Sequence, residues 1–212
     1  MYAPPAFVED GAAALRALAA SHPLALLIAL GPGGAVADPV PMLHDPEPGP
    51  FGALRAHLAR ANPQVEALRA SPQALVVFQG PQGYVTPSWY PSKRETGKVV
   101  PTWNYAVVQA RGAARLVDDA GWLRRQIDDL TAMMEGPRRA PWAVDDAPAP
   151  FVTAQLRGIV GVEIVVASVE AKVKMSQNRP EADRRGVAEG FDAEPAPEAA
   201  ALAALVRAKG GL

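Results

Sequence analysis

Polar side chains able to bind a phosphorylated ligand are concentrated in two short stretches of the sequence. Residues 79–105 read QGPQGYVTPSWYPSKRETGKVVPTWNY, and residues 172–179 read KVKMSQNR. Compact hydroxyl donors together with fixed positive charge are what a phosphate group requires. The residues of this kind are Ser88, Ser92, Lys93, Thr102, Ser176 and Arg179. We therefore predict that the two stretches form the walls of one site.

Aromatic residues are interleaved with these donors in the first stretch. Trp89, Tyr90 and Trp103 offer flat apolar surface with a polar group, which suits the covering of an aromatic ligand. Residue types alone leave two interpretations open. One is a site for a phosphorylated aromatic cofactor or a nucleotide, and the other is an ordinary loop whose aromatic residues, with Trp103 and Tyr105 as strand anchors, are buried in the core.

Other kinds of chemistry have no comparable pattern in the chain. His22, His44 and His57 lack the spacing of metal ligands, and no HExxH motif occurs. The absence of cysteine removes disulfides, thiolate catalysis and thiolate metal sites. No Gly-x-Ser-x-Gly sequence marks a hydrolytic nucleophile. We predict neither a metal site nor a specific catalytic residue.

Composition and charge narrow the class of protein. The chain has 212 residues, of which 49% are hydrophobic and 20% charged, as in ordinary globular domains. Its net charge of −1 gives no overall positive field for binding nucleic acid. The longest apolar run, residues 24–30, is far shorter than the roughly 20 residues of a membrane span, and no basic segment precedes an apolar core at the N-terminus. These features predict a cytoplasmic protein.

Strand-like segments separated by turn signals must position the two stretches. Strands are predicted at 24–30, 35–43, 51–57, 74–78, 82–86, 105–117 and 159–169; helices are predicted at 12–20, from Asn62 onward, 118–134, 149–157, 181–189 and in the tail. Regular βαβ alternation, GxGxxG and Walker A motifs are all absent. The pattern predicts an α+β fold, an antiparallel β-barrel with peripheral helices.

Several local features refine this prediction. Pro39 and Pro41 favour a strand at the edge of the sheet. Prolines and glycines place residues 88–101 on a loop. The helix at 118–134 is expected to bury Trp122, Ile127, Leu130 and Met133 or Met134. Residues 1–191 are predicted to be one domain, and 192–212 a helical tail whose loss matters least unless it packs on a partner chain.

Three long motifs resemble the FMN-binding negative transcriptional regulators, the PaiB-like proteins. They are PSWYPSK at 87–93, GKVVPTWNY at 97–105 and KMSQNRP at 174–180. Shorter matches are MYAPPAF at the start, HLARANPQ at 57–64, VFQGP at 77–81, the IVGVEI strand and DRRGV at 183–187. The resemblance implies a split β-barrel of the pyridoxamine-phosphate-oxidase type and a homodimer that holds FMN at the subunit interface.

The resemblance also assigns roles to individual residues. Lys93, Ser88 and Arg179 would hold the phosphate, and Ser176 and Gln177 the ribityl chain or the ring edge. Thr102, Trp103 and Asn104 would flank the ring, with His57, Arg60 and Asn62 as a second tier; Trp89, Tyr90 and Lys174 complete the set. This chain departs from the family at Pro39, Met134 and Val173, where His, His and an aromatic residue are usual, and these changes bear on affinity or activity.

Two functions from different classes follow from the resemblance. The first is a homodimeric FMN-binding regulator that acts through flavin binding. The alternative is an FMN-dependent oxidoreductase that passes hydride between NAD(P)H and a small acceptor. Direct DNA binding is not favoured, because no helix-turn-helix with a basic face is evident and the best basic patch is Arg124-Arg125 with Arg138-Arg139.

Overall fold

The computed structural model describes residues 1–212 and contains one sheet of seven strands in the order β2-β1-β5-β6-β7-β4-β3. The strands are β1 Leu24–Gly31, β2 Gly34–Pro41, β3 Leu43–Asp45, β4 Ala53–Ala59, β5 Gln73–Val85, β6 Thr102–Val117 and β7 Ile159–Lys174. The sheet is antiparallel, as in the hairpin that pairs Leu24 with Pro41. The predicted α+β class with an antiparallel split barrel is confirmed.

The chain also forms seven α-helices. They are α1 Gly11–Ser21, α2 Pro63–Ala70, α3 Ser92–Thr96, α4 Ala120–Glu135, α5 Ala149–Arg157, α6 Glu181–Ala193 and α7 Ala199–Gly210. Short 3₁₀ turns occur at Pro5–Phe7, Pro87–Trp89 and Val144–Asp146. No helix combines the length and the apolar character needed to cross a membrane.

The chain divides into two compact units. The first unit consists of residues 1–11, 79–108 and 170–212, and the second unit of residues 12–78 and 109–169. Strands β5, β6 and β7 contribute residues to both.

In the second unit, one face of the β1–β2 hairpin packs in the apolar core and the other face is exposed. Strand β1 buries Ala25, Leu27 and Ala29 and exposes the alternate residues. Strand β2 lies at the edge of the sheet, where Pro39 and Pro41 are tolerated because an edge residue can lack an N–H donor. The predicted edge position is confirmed.

Helix α2 begins where the sequence predicts. The side chain of Asn62 accepts a hydrogen bond from the Gln64 backbone N–H at 2.7 Å, and Pro63 occupies the first helical position. Gln64 is fully buried and donates from Nε2 to the Leu27 carbonyl at 2.6 Å. This bond fixes α2 to the β1–β2 hairpin.

Helix α4 packs through the predicted side. Its fully buried residues, Leu123 and Gln126, lie on the same side as the half-buried Trp122, Ile127, Leu130 and Met133, whereas Met134 is 49% exposed. The prediction missed Gln126 because its amide is satisfied by Arg55, which donates from Nη1 to Gln126 Oε1 at 3.2 Å, a partner that lies 71 residues away. Trp122 covers Gly161, where an added Cβ would lie 2.3 Å from the indole.

Two strands differ from their predicted bounds. Strand β5 runs unbroken through Gly80 and Pro81, both buried, so the predicted turn between two short strands is wrong. Strand β6 begins at Thr102, three residues before the predicted start at Tyr105. A Gly-Pro pair favours a turn where the chain can reverse its direction. In β5 both residues are held in the sheet, so the chain continues as a strand.

The loop predicted at 88–101 contains short regular structure. A 3₁₀ turn covers Pro87–Trp89, and helix α3 ends at Gly97, whose φ of 65° lies in the left-handed region that glycine tolerates. The predicted tail begins inside α6, which continues to Ala193. Helix α7 then buries Leu202, Ala203 and Val206 within the first unit.

Candidate functional site

The two polar stretches meet in the first unit at the start of β6 and the end of β7. Ser176 Oγ donates to Asn104 Oδ1 at 3.1 Å, and both residues are buried. Asn104 Nδ2 has no hydrogen-bond partner within the protein, although Asn104 is 0% exposed. A buried donor of this kind normally has a partner, so it marks a position where a ligand acceptor would fit.

Lys174 lies beside this pair at the end of β7. Its ammonium donates to Thr102 Oγ1 and to the Trp103 carbonyl, the latter at 2.7 Å. Burial lowers the pKa of Lys174, and the neighbouring charges of Lys172 and Arg179 lower it further. An anion bound beside Lys174 would relieve this repulsion and be stabilised by the positive charge.

The turn after β7 is held by hydrogen bonds among its own residues. Ser176 has a φ of 61°, the single non-glycine residue of the chain with positive φ. Gln177 accepts from the Met175 N–H and donates to the Val173 carbonyl, both at 2.6 Å, and the Arg179 N–H donates to the Ser176 carbonyl at 2.9 Å. Gln177 thus braces the turn that presents Ser176 and Arg179.

Arg179 connects this turn to the first polar stretch. Its guanidinium lies 5.1 Å from the centre of the Tyr90 ring, within the range of a cation–π contact. Tyr90 is buried, and burial raises the pKa of its hydroxyl, while the charge of Arg179 partly opposes that rise. Arg179 of the second polar stretch therefore contacts Tyr90 of the first, while its joint role with Lys93 stays a prediction.

Asp183 on α6 makes a second connection, and sequence reasoning did not select it. It is 1% exposed and accepts from Ser92 Oγ at 2.7 Å and from the Ser92 N–H at 3.1 Å. Ser92 begins helix α3, which carries Lys93, so Asp183 fixes the helix on which the predicted phosphate ligand lies. In the sequence, Asp183 is the first residue of the DRRGV motif, but the motif does not indicate that Ser92 is its partner.

Trp89 packs against α6. An added Cβ at Gly190 would lie 2.2 Å from the indole, and the Phe191 ring meets it edge-on at 5.0 Å. Ser88 and Lys93 are exposed on the same segment. Of the predicted set, Trp89 and Tyr90 thus anchor the segment, and Ser88 and Lys93 remain accessible.

Trp103 lines an open groove on the face of β5 and β6. The groove has a volume of about 430 Å³ and is lined by Gln79, Gly80, Gln82, Trp103, Tyr105, Ala106 and Val107. Trp103 is 52% exposed and meets the Tyr84 ring edge-on at 6.0 Å. Its indole is therefore not a core anchor. Tyr105 is half-buried, with Lys172 Nζ 5.2 Å from its ring centre.

The three predicted second-tier residues belong to the second unit, where each has a local role. His57 Nδ1 is buried without a partner, and burial lowers the pKa of the imidazole. Arg60 pairs with Asp118 and donates to the Arg157 carbonyl at 2.7 Å. Asn62 caps α2. Their part in cofactor binding stays a prediction.

The three departures from the family pattern have distinct environments. Pro39 lies on the edge strand β2, and Met134 is exposed near the end of α4. Val173 lies on β7, where its carbonyl accepts from Gln177. Only Val173 therefore belongs to the unit that holds the phosphate-type donors.

Comparison with known proteins gives a family match over most of the chain. Residues 1–168 match the family described as "Putative FMN-binding domain". An uncharacterized protein of Emericella nidulans is 38% identical over 185 residues, covering 75% of this chain and 74% of the relative. Protease synthase and sporulation protein PAI 2 of Bacillus subtilis is 36% identical over 159 residues, covering 74% of this chain and 72% of the relative.

Solved structures share the fold. A conserved hypothetical protein from Mycobacterium tuberculosis has a TM-score of 0.58 at 17% identity, covering 85% of this chain and 94% of that one. The flavocytochrome Anf3 from Azotobacter vinelandii also has a TM-score of 0.58, at 13% identity, covering 79% of this chain and 69% of that one.

The donor set agrees with the family's cofactor. A phosphorylated ring cofactor needs cations at one end and a flat, accessible surface at the other. The first unit has Lys174, Arg179 and the unpaired amide nitrogen of Asn104 as well as the Trp103 groove. With residues 1–168 matched, the chain belongs to the PaiB-like family of FMN-binding proteins, and FMN is its cofactor.

Proposed function

We propose that the protein is a homodimeric FMN-binding regulator whose response depends on flavin binding. The observation that carries this proposal is the cluster of Asn104, Lys174 and Ser176, where a buried amide donor lacks a partner beside a lysine with a lowered pKa. A core without a ligand has little reason to retain such a group. A regulatory role is what the resemblance to the PaiB-like proteins implies, and the relative from Bacillus subtilis is named for protease synthesis and sporulation.

The residues divide between two ends of the cofactor. We propose that Lys93, Ser88 and Arg179 bind the phosphate, since two are exposed and the third is held by Tyr90 close to their segment. Ser176 and Asn104 would bind polar atoms of the ribityl chain or ring edge. FMN bound there supplies a centre for hydride or electron transfer.

The second unit has a surface that favours a homodimer. On one face of the β1–β2 hairpin the side chains are all apolar. Strand β1 contributes Leu24, Leu26, Ile28 and Leu30, which pair across the hairpin with Pro41, Pro39, Ala37 and Ala35 of β2. Exposed apolar patches of this kind mark association surfaces in monomers that are otherwise well folded. The family resemblance implies a homodimer, and we propose that a second copy of the chain covers this face.

The test of FMN binding is a spectroscopic titration. The purified chain, incubated with FMN and desalted, is expected to keep a flavin spectrum. Lys174→Met should weaken binding by about tenfold or more because a charged donor in a partly buried site is lost; Arg185→Met, on the exposed side of α6, should not. No retained flavin in the wild-type chain would overturn the proposal.

The open groove favours a second candidate function, an FMN-dependent oxidoreductase. Trp103 is half exposed in a groove of about 430 Å³, which leaves space for a small reactant beside a bound ring. Steady oxidation of NADH or NADPH by the flavoprotein with a small acceptor would support this function. If no acceptor in a panel supports turnover, the oxidoreductase function is contradicted and the regulatory function remains.

Direct DNA binding is not part of the proposal. In the best basic patch, Arg124 is already paired with Asp128 and Asp145, and Arg138 with Glu135. Charges neutralised within the protein release few counterions from DNA. We therefore expect any effect on transcription to be indirect. We also propose that the protein is cytoplasmic. A salt-sensitive gel shift would contradict this expectation.

A further inference from the structure

A second cavity lies in the first unit, between the end of β5 and the two C-terminal helices. Its volume is about 340 Å³, and its lining includes Tyr84, Trp89, Phe191, Glu194, Ala196 and Glu198. We call it the C-terminal cleft. Because the family match ends at residue 168, the wall made by α6 and α7 lies outside that match.

The lining combines aromatic rings with carboxylates. Tyr84, Trp89 and Phe191 supply ring surface, and Glu194 and Glu198 supply negative charge, while the lining contains no Lys, Arg or His. Glu198 Oε2 accepts from the Gln82 N–H at 2.9 Å, which leaves Oε1 of the same carboxylate for a ligand. Rings and carboxylates both attract cations, and tryptophan does so most strongly among the aromatic residues.

We propose that the C-terminal cleft binds a small organic cation, a protonated amine on an aromatic or apolar body. The cavity is at the small end of the range for ligand sites, about 300–1,000 Å³, so the ligand is a small molecule and not a peptide. An anion would meet Glu194 and Glu198 without a compensating charge. A neutral ligand would leave both carboxylates without an ionic partner.

The walls of the cleft are held in place by close contacts. The Trp89 indole lies on Gly190, and an added Cβ at Gly83 would lie 2.6 Å from Leu202 and 2.7 Å from Phe191. Close packing of this kind prevents the rings from collapsing into the space between them. A preformed cavity loses little conformational entropy when it binds its ligand.

The cleft is also connected to the Trp103 groove. Gln82 lines both cavities, and the Tyr84 ring in the cleft contacts the Trp103 ring in the groove. An amine in the cleft is therefore expected to alter the surroundings of Trp103. This step rests on the proposed function, because coupling to FMN affinity requires FMN in the groove, and such coupling is reciprocal.

The test uses the full chain without added FMN and measures heat on titration with phenethylamine. Phenylacetate and 2-phenylethanol serve as probes of equal shape with negative or no charge. Binding of the amine at least tenfold tighter than either is expected. Equal binding of all three probes would overturn the proposal.

Variants locate the binding. Ala196→Phe places a ring in the cleft from an exposed position and should abolish amine binding, whereas Ala193→Phe, outside the lining, should not. Glu198→Gln keeps a carbonyl oxygen for the Gln82 N–H and should weaken amine binding about fivefold, with Glu189→Gln as its control. Unchanged amine binding in Ala196→Phe would refute the assignment, whatever the outcome of the FMN titration.

Discussion

Ser176 combines an unfavourable backbone conformation with a buried contact. A left-handed conformation costs a non-glycine residue about 1 kcal/mol. At this position φ is 61°, and the hydroxyl donates to Asn104. Glycine would relieve the strain, so the presence of serine indicates that its hydroxyl is needed at the site.

Two substitutions at Ser176 separate backbone strain from the hydroxyl. Ser176→Ala loses the hydrogen bond and keeps the strain, so it should lower the free energy of unfolding by about 1–3 kcal/mol. Ser176→Gly loses the same bond but should be about 1 kcal/mol more stable than the alanine variant. Both should weaken FMN binding. Urea denaturation and flavin titration measure the two effects; equal stability of the variants would contradict the strain argument.

His57 should make stability depend on pH near neutrality. Burial lowers the pKa of the imidazole below its ordinary value of 6.5, so the folded state favours the neutral form. The unfolded state then binds the proton first as pH falls, and stability is complete above about pH 6.5 and is lost below it toward the lowered folded-state pKa.

A substitution isolates this contribution. The free energy of unfolding of the wild type should fall more steeply between about pH 7 and about pH 5 than that of His57→Gln, because glutamine does not titrate. Carboxylates titrate alike in both proteins, so the difference belongs to His57. Parallel pH profiles of the two proteins would show that the imidazole is not the cause.

At the scale of elements, α6 joins the cofactor segment to the C-terminal region. Asp183 holds the start of α3, and Gly186 and Gly190 allow the helix to approach Trp89. At Gly186 an added Cβ would lie 2.1 Å from the Trp89 carbonyl oxygen. Small residues four positions apart on one helical face permit this approach.

Gly190→Ala tests this contact. Alanine improves helix propensity by about 1 kcal/mol, but its methyl would meet the indole at 2.2 Å. The expected net result is a loss of about 1–3 kcal/mol in the free energy of unfolding, since a close-packed contact must shift. Chemical denaturation measures it, with Glu189→Ala on the exposed side as the control. A stabilised Gly190→Ala variant would contradict the packing.

Local signals predicted several elements and failed at others for identifiable reasons. Asn62-Pro63 marked the start of α2, and alternating apolar residues marked β1, because both signals act within a few residues. Strand β5 was divided wrongly, since its Gly80-Pro81 pair is restrained by neighbouring strands that the local pattern does not contain. The burial of Gln126 on α4 depends on the distant Arg55 in the same way.

At the scale of the whole molecule, the apolar hairpin face concerns assembly. Leu24 and Leu30 are about 60% exposed, which is costly for a free monomer. A charged side chain placed on this face would lack a partner once a second copy covered the face. The proposed homodimer therefore predicts a strong response to a single charged residue there.

Leu26→Glu provides that test. The wild type is expected to have the mass of a dimer by light scattering, and the variant the mass of a monomer. Phe151→Glu, on exposed α5, should remain dimeric. A wild-type monomer at micromolar concentration, or a variant that stays dimeric, would contradict the proposed face.

The sequence motifs identified most of the candidate site but not its internal connections. The PTWN and KMSQN segments named Asn104, Lys174 and Ser176, and the structure brings these together. Asp183 and the glycines of α6 were not selected, because their role appears only when Ser92 and Trp89 lie against the helix. Spacing along the chain carries no information about such partners.

The first unit is assembled from three separated segments, residues 1–11, 79–108 and 170–212. During synthesis, Asn104 leaves the ribosome long before Ser176 and Lys174 do. The phosphate-type donors therefore gather only when the last segment has emerged, and contacts at this separation in sequence form slowly. A nascent chain stalled before residue 170 should consequently be unable to take up flavin, so cofactor loading would have to wait for the synthesis of residues 170–179.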